Sequence, residues 1–151
     1  MGGHRNTLDS LCRTWASRGY VAATISYRLG FFAPWPKRMP YTYDRAEVVR
    51  AACRATMDMR TAIRFLKGRA AKDRSSTEDF FVGGFSAGGI TALHATFMDK
   101  VEEIPVECGE MGMVYEKLSS FQRPDLGVKK SEMDPSAGDA SVKACLSFFG
   151  A

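Results

Sequence analysis

The chain has 151 residues, of which 45% are hydrophobic and 25% charged, a composition typical of one soluble globular domain. This excludes a disordered tail, and 14 glycines with 6 prolines exclude collagen and a low-complexity linker. The net charge of +4 is unevenly divided, because residues 1–74 hold 15 basic against 5 acidic side chains and residues 75–151 hold 6 against 12. The arginines are spread over helical positions without a basic cluster, so we predict no nucleic-acid partner.

Helical and β-strand patterns alternate along the chain. Leu8, Leu11 and Trp15 recur at helical spacing before Gly19, which predicts a helix over residues 7–18. The uncharged, β-rich run 20–27 predicts a strand buried on both faces, and two further apolar runs predict buried strands. Apolar residues at every third or fourth position predict further helices. These elements are a strand at 20–27, a helix at 44–68, a strand at 79–83, a helix at 87–98 and a strand at 141–150. The alternation predicts an α/β fold with a parallel, doubly wound sheet.

The longest uncharged run, residues 80–98, has the length of a membrane-spanning helix but contains four glycines and several hydroxyl side chains. We therefore predict no membrane span and interpret the run as a strand, a turn and a helix. No apolar stretch follows Met1, so this segment shows no signal peptide, and the cellular location stays open.

Four cysteines lie dozens of residues apart, at Cys12, Cys53, Cys108 and Cys145. No pair has the spacing of zinc ligands or of a redox pair, so the sequence predicts no metal site. Cys145 lies in an apolar run and is predicted to be a packed thiol, whereas the other three could be free or paired.

The pattern Gly-x-Ser-x-Gly lies between the strand predicted at 79–83 and the helix predicted at 87–98. It reads Gly84-Phe85-Ser86-Ala87-Gly88. A strand that enters this pattern and a helix that leaves it are the geometry of a nucleophile elbow. A serine held in a strained turn needs neighbours without side chains, which accounts for Gly84 and Gly88. We predict that Ser86 is the catalytic nucleophile and that the amide of Ala87 faces the oxyanion.

A glycine-rich cofactor loop is the alternative interpretation of this pattern. A mononucleotide loop ends in Gly-Lys-Ser or Gly-Lys-Thr, and a dinucleotide loop reads Gly-x-Gly-x-x-Gly. Residues 83–89 match neither pattern. The sequence therefore favours the nucleophile elbow, and the chemistry at such a site needs no cofactor.

Four ordered motifs resemble the α/β-hydrolase superfamily, in its esterase and lipase branch with carboxylesterase-like members. They are Gly2-Gly3-His4, Ser26-Tyr27-Arg28-Leu29-Gly30, the helical stretch 58–66 and Gly84-Phe85-Ser86-Ala87-Gly88-Gly89. The resemblance implies a partial α/β-hydrolase sheet over residues 1–151 as a single domain. It also implies that the amides of Gly2 and Gly3 join that of Ala87 in the oxyanion hole.

The resemblance further implies that the chain is an interior piece of a larger enzyme. The family's early strands are missing, and its catalytic Asp and His are expected beyond Ala151. One missing strand belongs between residues 20–27 and 79–83, so we expect a gap in the sheet there. Residues 99–140 are irregular and are predicted to be an insertion, as a lid or pocket segment, while residues 31–43 could also line an acyl or alcohol pocket.

Neither histidine in the chain fits the role of the missing base. His94 follows Ser86 by eight residues on the same predicted helix, about 12 Å along its axis, too far for a hydrogen bond. His4 lies in a loop that is expected to present amides. Asp58 is predicted to pair with an arginine such as Arg28 or Arg60.

The sequence thus predicts a serine hydrolase that cleaves a small-molecule carboxylic ester through an acyl-enzyme on Ser86, with the triad incomplete in this chain. On its own the 151-residue chain is expected to be nearly inactive. Two alternatives stay open: a noncatalytic hydrolase-like binding module and a peptidase of the prolyl-oligopeptidase type. The sequence does not indicate the acyl-chain length or the oligomeric state.

Overall fold

The computed structural model describes residues 5–28, 45–109 and 137–149. Four α-helices, two β-strands and three short 3₁₀ helices are found in these ranges. The α-helices are α1 (Asp9–Ala16), α2 (Arg45–Gly68), α3 (Ala70–Asp73) and α4 (Ala87–Phe97), and the strands are β1 (Phe81–Phe85) and β2 (Ala144–Phe148). The 3₁₀ helices are Arg5–Leu8, Val101–Glu103 and Val106–Gly109.

The helices agree with the sequence predictions within a few residues. The predicted helix 7–18 is the first 3₁₀ helix continued by α1, while α2 and α4 match the predicted helices 44–68 and 87–98. The strand predicted at 79–83 is β1, shifted by two residues, and the strand predicted at 141–150 is the shorter β2. An α/β arrangement with a parallel sheet is therefore confirmed, while a third strand is not found in the described ranges.

The two strands pair in parallel, from Phe81 opposite Ala144 to Phe85 opposite Phe148. The prediction that both strands are buried is wrong. Val82 and Cys145 face the helices, whereas the alternate side chains face outward and are exposed. Large outward side chains are Phe81, Phe85, Leu146 and Phe148. Because strand side chains alternate, an apolar run cannot reveal whether a second layer covers its other face.

Residues 20–28 are described and form no strand, so the prediction of a strand at 20–27 is wrong. The segment lies against α2 instead, where Ile25 packs beside the helix and Arg28 binds Asp58. The backbone N–H of Arg28 donates to Asp58 Oδ2 at 2.7 Å, and its Nη2 lies 2.8 Å from Oδ1. The predicted pairing of Asp58 with Arg28 is confirmed. A strand needs a neighbouring strand, and this segment has none among the described residues, in agreement with the expected gap.

The buried side chains form two clusters along α2. The first joins α2 to the 3₁₀ helices after α4 and contains Cys53, Met57, Ile104 and Cys108. Cys53 and Cys108 form a disulfide there, with their Cα atoms 5.8 Å apart. The second cluster lies between α2, α4 and the inner face of the sheet. It contains Met59, Ile63, Ala92, Ala95 and Ala140.

A buried arginine of α2, Arg60, donates hydrogen bonds to carbonyls at the carboxyl end of α4. Arg60 is only 5% exposed, and its Nη1 donates to the carbonyls of Ala95 at 3.0 Å and Met98 at 3.2 Å. Burial, followed by the charge of Arg64, lowers the pKa of Arg60. A guanidinium at this position satisfies carbonyls that the helix leaves without partners and opposes the negative end of its dipole. Arg60 thereby fixes α4, and the turn that precedes α4, against α2.

Lys67 ties the end of α2 to the segment that leads into β2. Its Nζ lies 2.5 Å from Asp139 Oδ2 and 3.1 Å from Ser141 Oγ, and the Ser141 amide donates to Asp139 Oδ1 at 2.8 Å. The hydrogen bond from Lys67, followed by those from Ser141, holds the pKa of Asp139 well below its usual range. The Asp139 side chain is 61% exposed, so solvent screens much of this interaction.

Replacing Asp139 by Asn is therefore expected to lower the free energy of unfolding at pH 7 by up to about 1 kcal/mol. The folded-state pKa of Asp139 lies below its unfolded value, so the wild-type advantage is present above about pH 4 and fades as the pH falls further. Urea unfolding of both proteins at pH 7 and pH 3 measures this. An Asp139→Asn effect that is equal at both pH values would show that the ion pair does not contribute.

Candidate functional site

Ser86 lies in the turn between β1 and α4. Phe85 is the last residue of β1 and Ala87 the first of α4, and Ser86 between them has φ 51° and ψ −122°. Positive φ is costly for a residue with a side chain and is found mainly where the surrounding structure enforces it. The predicted placement of Ser86, at a strand-to-helix turn in a strained conformation, is confirmed.

Backbone hydrogen bonds hold this turn from both sides. The Ser86 N–H donates to the carbonyl of Phe148 at 2.8 Å, and the Ser86 carbonyl accepts from the N–H of Ile90 at 3.1 Å. The Ser86 side chain is exposed and makes no capping hydrogen bond to α4. Ser86 thus stands at the N-terminus of an 11-residue helix, where unsatisfied N–H groups and the positive end of the helix dipole favour negative charge.

The sequence predicts a steric need for glycine at both 84 and 88, but the two residues have different surroundings in the structure. A Cβ atom on Gly84 would lie 2.3 Å from the carbonyl carbon and 2.4 Å from the carbonyl oxygen of Gly88. A Cβ atom on Gly88 would meet no described atom within 4 Å beyond its chain neighbours and the backbone of its own helix. The steric reason therefore holds for Gly84 and is wrong for Gly88. The strand passes so close to the first turn of α4 that only the residue on the strand must lack a side chain.

The carboxyl end of the sheet carries a pair of aromatic rings next to Ser86. Phe85 and Phe148 stack with centroids 4.9 Å apart and planes inclined by 19°. Phe149, which follows β2, also has positive φ, at 56°, and is 90% exposed. Sequence reasoning named Phe85 but missed Phe148, because its closeness to Ser86 arises from strand pairing and not from spacing along the chain.

Several predicted residues lie outside the described ranges. They are Gly2, Gly3 and His4, together with residues 31–43 and the larger part of the predicted insertion 99–140. Ala87 is described and is the first residue of α4, and the role of its amide in an oxyanion hole stays a prediction. His94 lies on α4 near its carboxyl end, and its Nδ1 is buried without a hydrogen-bond partner in the described part of the chain.

The described residues contain no group of three or more His, Cys, Asp or Glu side chains that could hold a metal ion. They also contain no helix that is long and apolar enough to cross a membrane. A groove of about 580 Å³ lies between residues 24–28 and α2, beside the Arg28–Asp58 pair, and Ser86 does not line it.

Comparison with known proteins adds one finding to this geometry. The family model BD-FAE matches residues 3–151, which is almost the whole chain. The chain belongs to the BD-FAE family. No curated protein and no solved structure gives a significant match.

BD-FAE domains are α/β-hydrolase-like esterase domains, so the family agrees with the α/β arrangement of the described helices and strands. The chain is accordingly a hydrolase-like domain. The match begins at Gly3 and so includes the stretch around Ser86 as well as the residues on either side of it.

Proposed function

We propose that this BD-FAE domain is a serine hydrolase that cleaves carboxylic esters, with Ser86 as the nucleophile. The observation that carries the proposal is the backbone of Ser86, at φ 51° and ψ −122° between β1 and α4, with its side chain exposed. Such a turn lifts a serine clear of both elements at the carboxyl end of the strand. Strain of this kind persists where the surrounding structure enforces it, often at functional sites.

The reaction proposed for this site has two steps. Ser86 Oγ attacks the acyl carbon while its proton passes to a general base, and the alcohol leaves after taking up a proton. Water then attacks the acyl-enzyme and releases the carboxylic acid and the free serine. In both steps a tetrahedral oxyanion forms, which the amide of Ala87 and the N-terminus of α4 would stabilise. We assign Gly2 and Gly3 as further amide donors from the sequence resemblance.

The general base is not found among the described residues. His94 is eight residues beyond Ser86 on α4, about 12 Å along the helix axis, which is out of hydrogen-bonding reach. A triad that lacks its base retains only the roughly 10³- to 10⁴-fold acceleration that oxyanion stabilisation and binding supply. The 151-residue chain should therefore hydrolyse an activated phenyl ester slowly and label slowly with a fluorophosphonate.

The decisive experiment locates that label. We expect peptide mapping to find the fluorophosphonate on Ser86, and we expect Ser86→Ala to remove both the label and the ester hydrolysis. Ser147→Ala is the matched control, because Ser147 is exposed on β2 opposite Gly84 and should leave both unchanged. Label on another serine, or hydrolysis that survives Ser86→Ala, would contradict the proposal.

The same assay separates the alternatives. A noncatalytic binding module would take no label at Ser86 and would hydrolyse neither esters nor amides. A peptidase would cleave a peptide amide with the same acyl group as well as the ester, whereas an esterase would cleave the ester alone. Turnover of the ester at an ordinary enzymatic rate, about 10 s⁻¹, would show that a base is present in the chain, and His4→Ala would then identify or exclude His4.

A further inference from the structure

Two residues with strained backbone conformations lie at the same end of the described sheet. Three non-glycine residues in the described ranges have positive φ, namely Arg74, Ser86 and Phe149. Ser86 and Phe149 each follow the last residue of a strand, and those last residues, Phe85 and Phe148, are paired with each other. Strained residues persist only where neighbouring contacts hold them, so the Phe85–Phe148 pair is the place to look for those contacts.

Two contacts join this last pair of the ladder to Ser86. The carbonyl of Phe148 accepts the Ser86 N–H at 2.8 Å, and the ring of Phe148 stacks on that of Phe85, the residue before Ser86. On its other side Ser86 is held by α4, through the N–H of Ile90 and the close approach of Gly84 to Gly88. Ser86 is therefore fixed between a helix and Phe148.

The stacked rings of Phe85 and Phe148 lie on the face of the sheet that points away from α2 and α4. The rings of Phe85 and Phe148 are 46% and 44% exposed, so a large part of each is not buried by the described residues. The stacking of the Phe85 and Phe148 rings is thus a side-chain contact across the last pair of the β1–β2 ladder. Without it, the last backbone pair separates more readily, because it stands at the end of the β1–β2 ladder.

We infer that Phe148 is a positioning residue for Ser86, which it holds in the strained conformation through its carbonyl and its stack on Phe85. The inference rests on the proposed role of Ser86 and extends it to a residue that lies on another strand, 62 positions later in the sequence. Loss of the ring lets φ of Ser86 relax, so a smaller fraction of molecules presents the hydroxyl in the reactive geometry.

The test compares Phe148→Ala with Leu146→Ala. Leu146 lies on the same strand and the same face, opposite Gly83, and is 49% exposed, but it is one pair further from Ser86 on that face. Phe148→Tyr retains the stacked ring and serves as the rescue variant. Two readouts are measured: the rate of fluorophosphonate labelling, and hydrogen exchange of the Ser86 amide relative to the amide of buried Ala92 in α4.

We expect Phe148→Ala to slow labelling about tenfold and to speed exchange of the Ser86 amide by a similar factor, as the loss of a stacked aromatic pair implies. Ester hydrolysis should lose kcat with little change in KM. Leu146→Ala and Phe148→Tyr should stay within about twofold of the wild type. If Phe148→Ala does not fold, Phe148→Leu carries the test, because it keeps the apolar bulk and loses the stack.

Equal effects of Phe148→Ala and Leu146→Ala on both readouts would overturn the inference. Failure of the proposed function has a different signature, since labelling would then be insensitive to Ser86→Ala. Hydrogen exchange of the Ser86 amide does not depend on catalysis. It therefore decides whether Phe148 holds the turn even when the nucleophile is another residue.

Discussion

Replacing Gly84 by alanine is expected to lower the free energy of unfolding by more than about 3 kcal/mol, beyond the usual cost of overpacking. The added Cβ would lie 2.3 Å and 2.4 Å from backbone atoms of Gly88 and 2.8 Å from the nitrogen of Gly89. A side chain could rotate away from such a contact, but the first turn of α4 can only move as a unit. That movement would also displace Ser86, so labelling at Ser86 should be lost together with stability.

Gly88→Ala is the matched control for this prediction. Its Cβ would meet no described atom within 4 Å beyond its chain neighbours and its own helix backbone. Gly88 lies in the first turn of α4, where alanine is more favourable than glycine by up to about 1 kcal/mol. Urea unfolding followed by circular dichroism measures both variants. A Gly84→Ala protein as stable as Gly88→Ala would show that the close approach of β1 to α4 is not maintained in solution.

The contrast between the two glycines shows what a motif can and cannot predict. Gly-x-Ser-x-Gly placed Ser86 correctly between a strand and a helix, because the apolar run before it and the small residues after it have the periods of those elements. The motif treats its two glycines alike. Their difference depends on how closely the strand backbone passes the first turn of the helix, which is a property of packing and not of local sequence.

The helices were predictable because amphipathic spacing is local, whereas strands depend on partners. Residues 20–27 have the β-rich, uncharged composition of a buried strand, yet the described segment lies along α2 and is anchored there by Arg28 and Asp58. Cross-strand side-chain pairs stabilise a sheet, so a β-rich segment without a neighbouring strand lacks the contacts that would hold it in a strand. Phe148 was missed for a related reason, since its contact with the Ser86 turn exists only through strand pairing.

The disulfide was also beyond sequence reasoning. Four cysteines can pair in several ways, and the spacing of 55 residues between Cys53 and Cys108 favours none of them. In the structure both cysteines are buried, Cys53 at 2% and Cys108 at 0% exposure, beside Met57 and Ile104. This bond joins the N-terminal half of α2 to the 3₁₀ helix Val106–Gly109.

Breaking this bond is expected to lower the free energy of unfolding by about 4 kcal/mol, the chain-entropy value for a closed loop of this length. Without the bond, the unfolded chain gains freedom that the folded chain does not. The double variant Cys53→Ala/Cys108→Ala should show the loss, and dithiothreitol should produce a loss of similar size in the wild-type protein during urea unfolding. Dithiothreitol should have no further effect on the double variant.

Two arms of this experiment separate the bond from the burial of its side chains. Cys145→Ala removes a free, partly buried cysteine at the edge of the second cluster and should cost much less, without changing the response to dithiothreitol. The single variant Cys53→Ala removes the bond and leaves one buried thiol, so it should cost nearly as much as the double variant. Wild-type unfolding curves that coincide with and without dithiothreitol, once mass spectrometry has shown the thiols to be reduced, would contradict a stabilising role for the bond. The segment 101–109 would then be held to α2 by its packing contacts, among them those of Ile104 with the cluster that contains Met57.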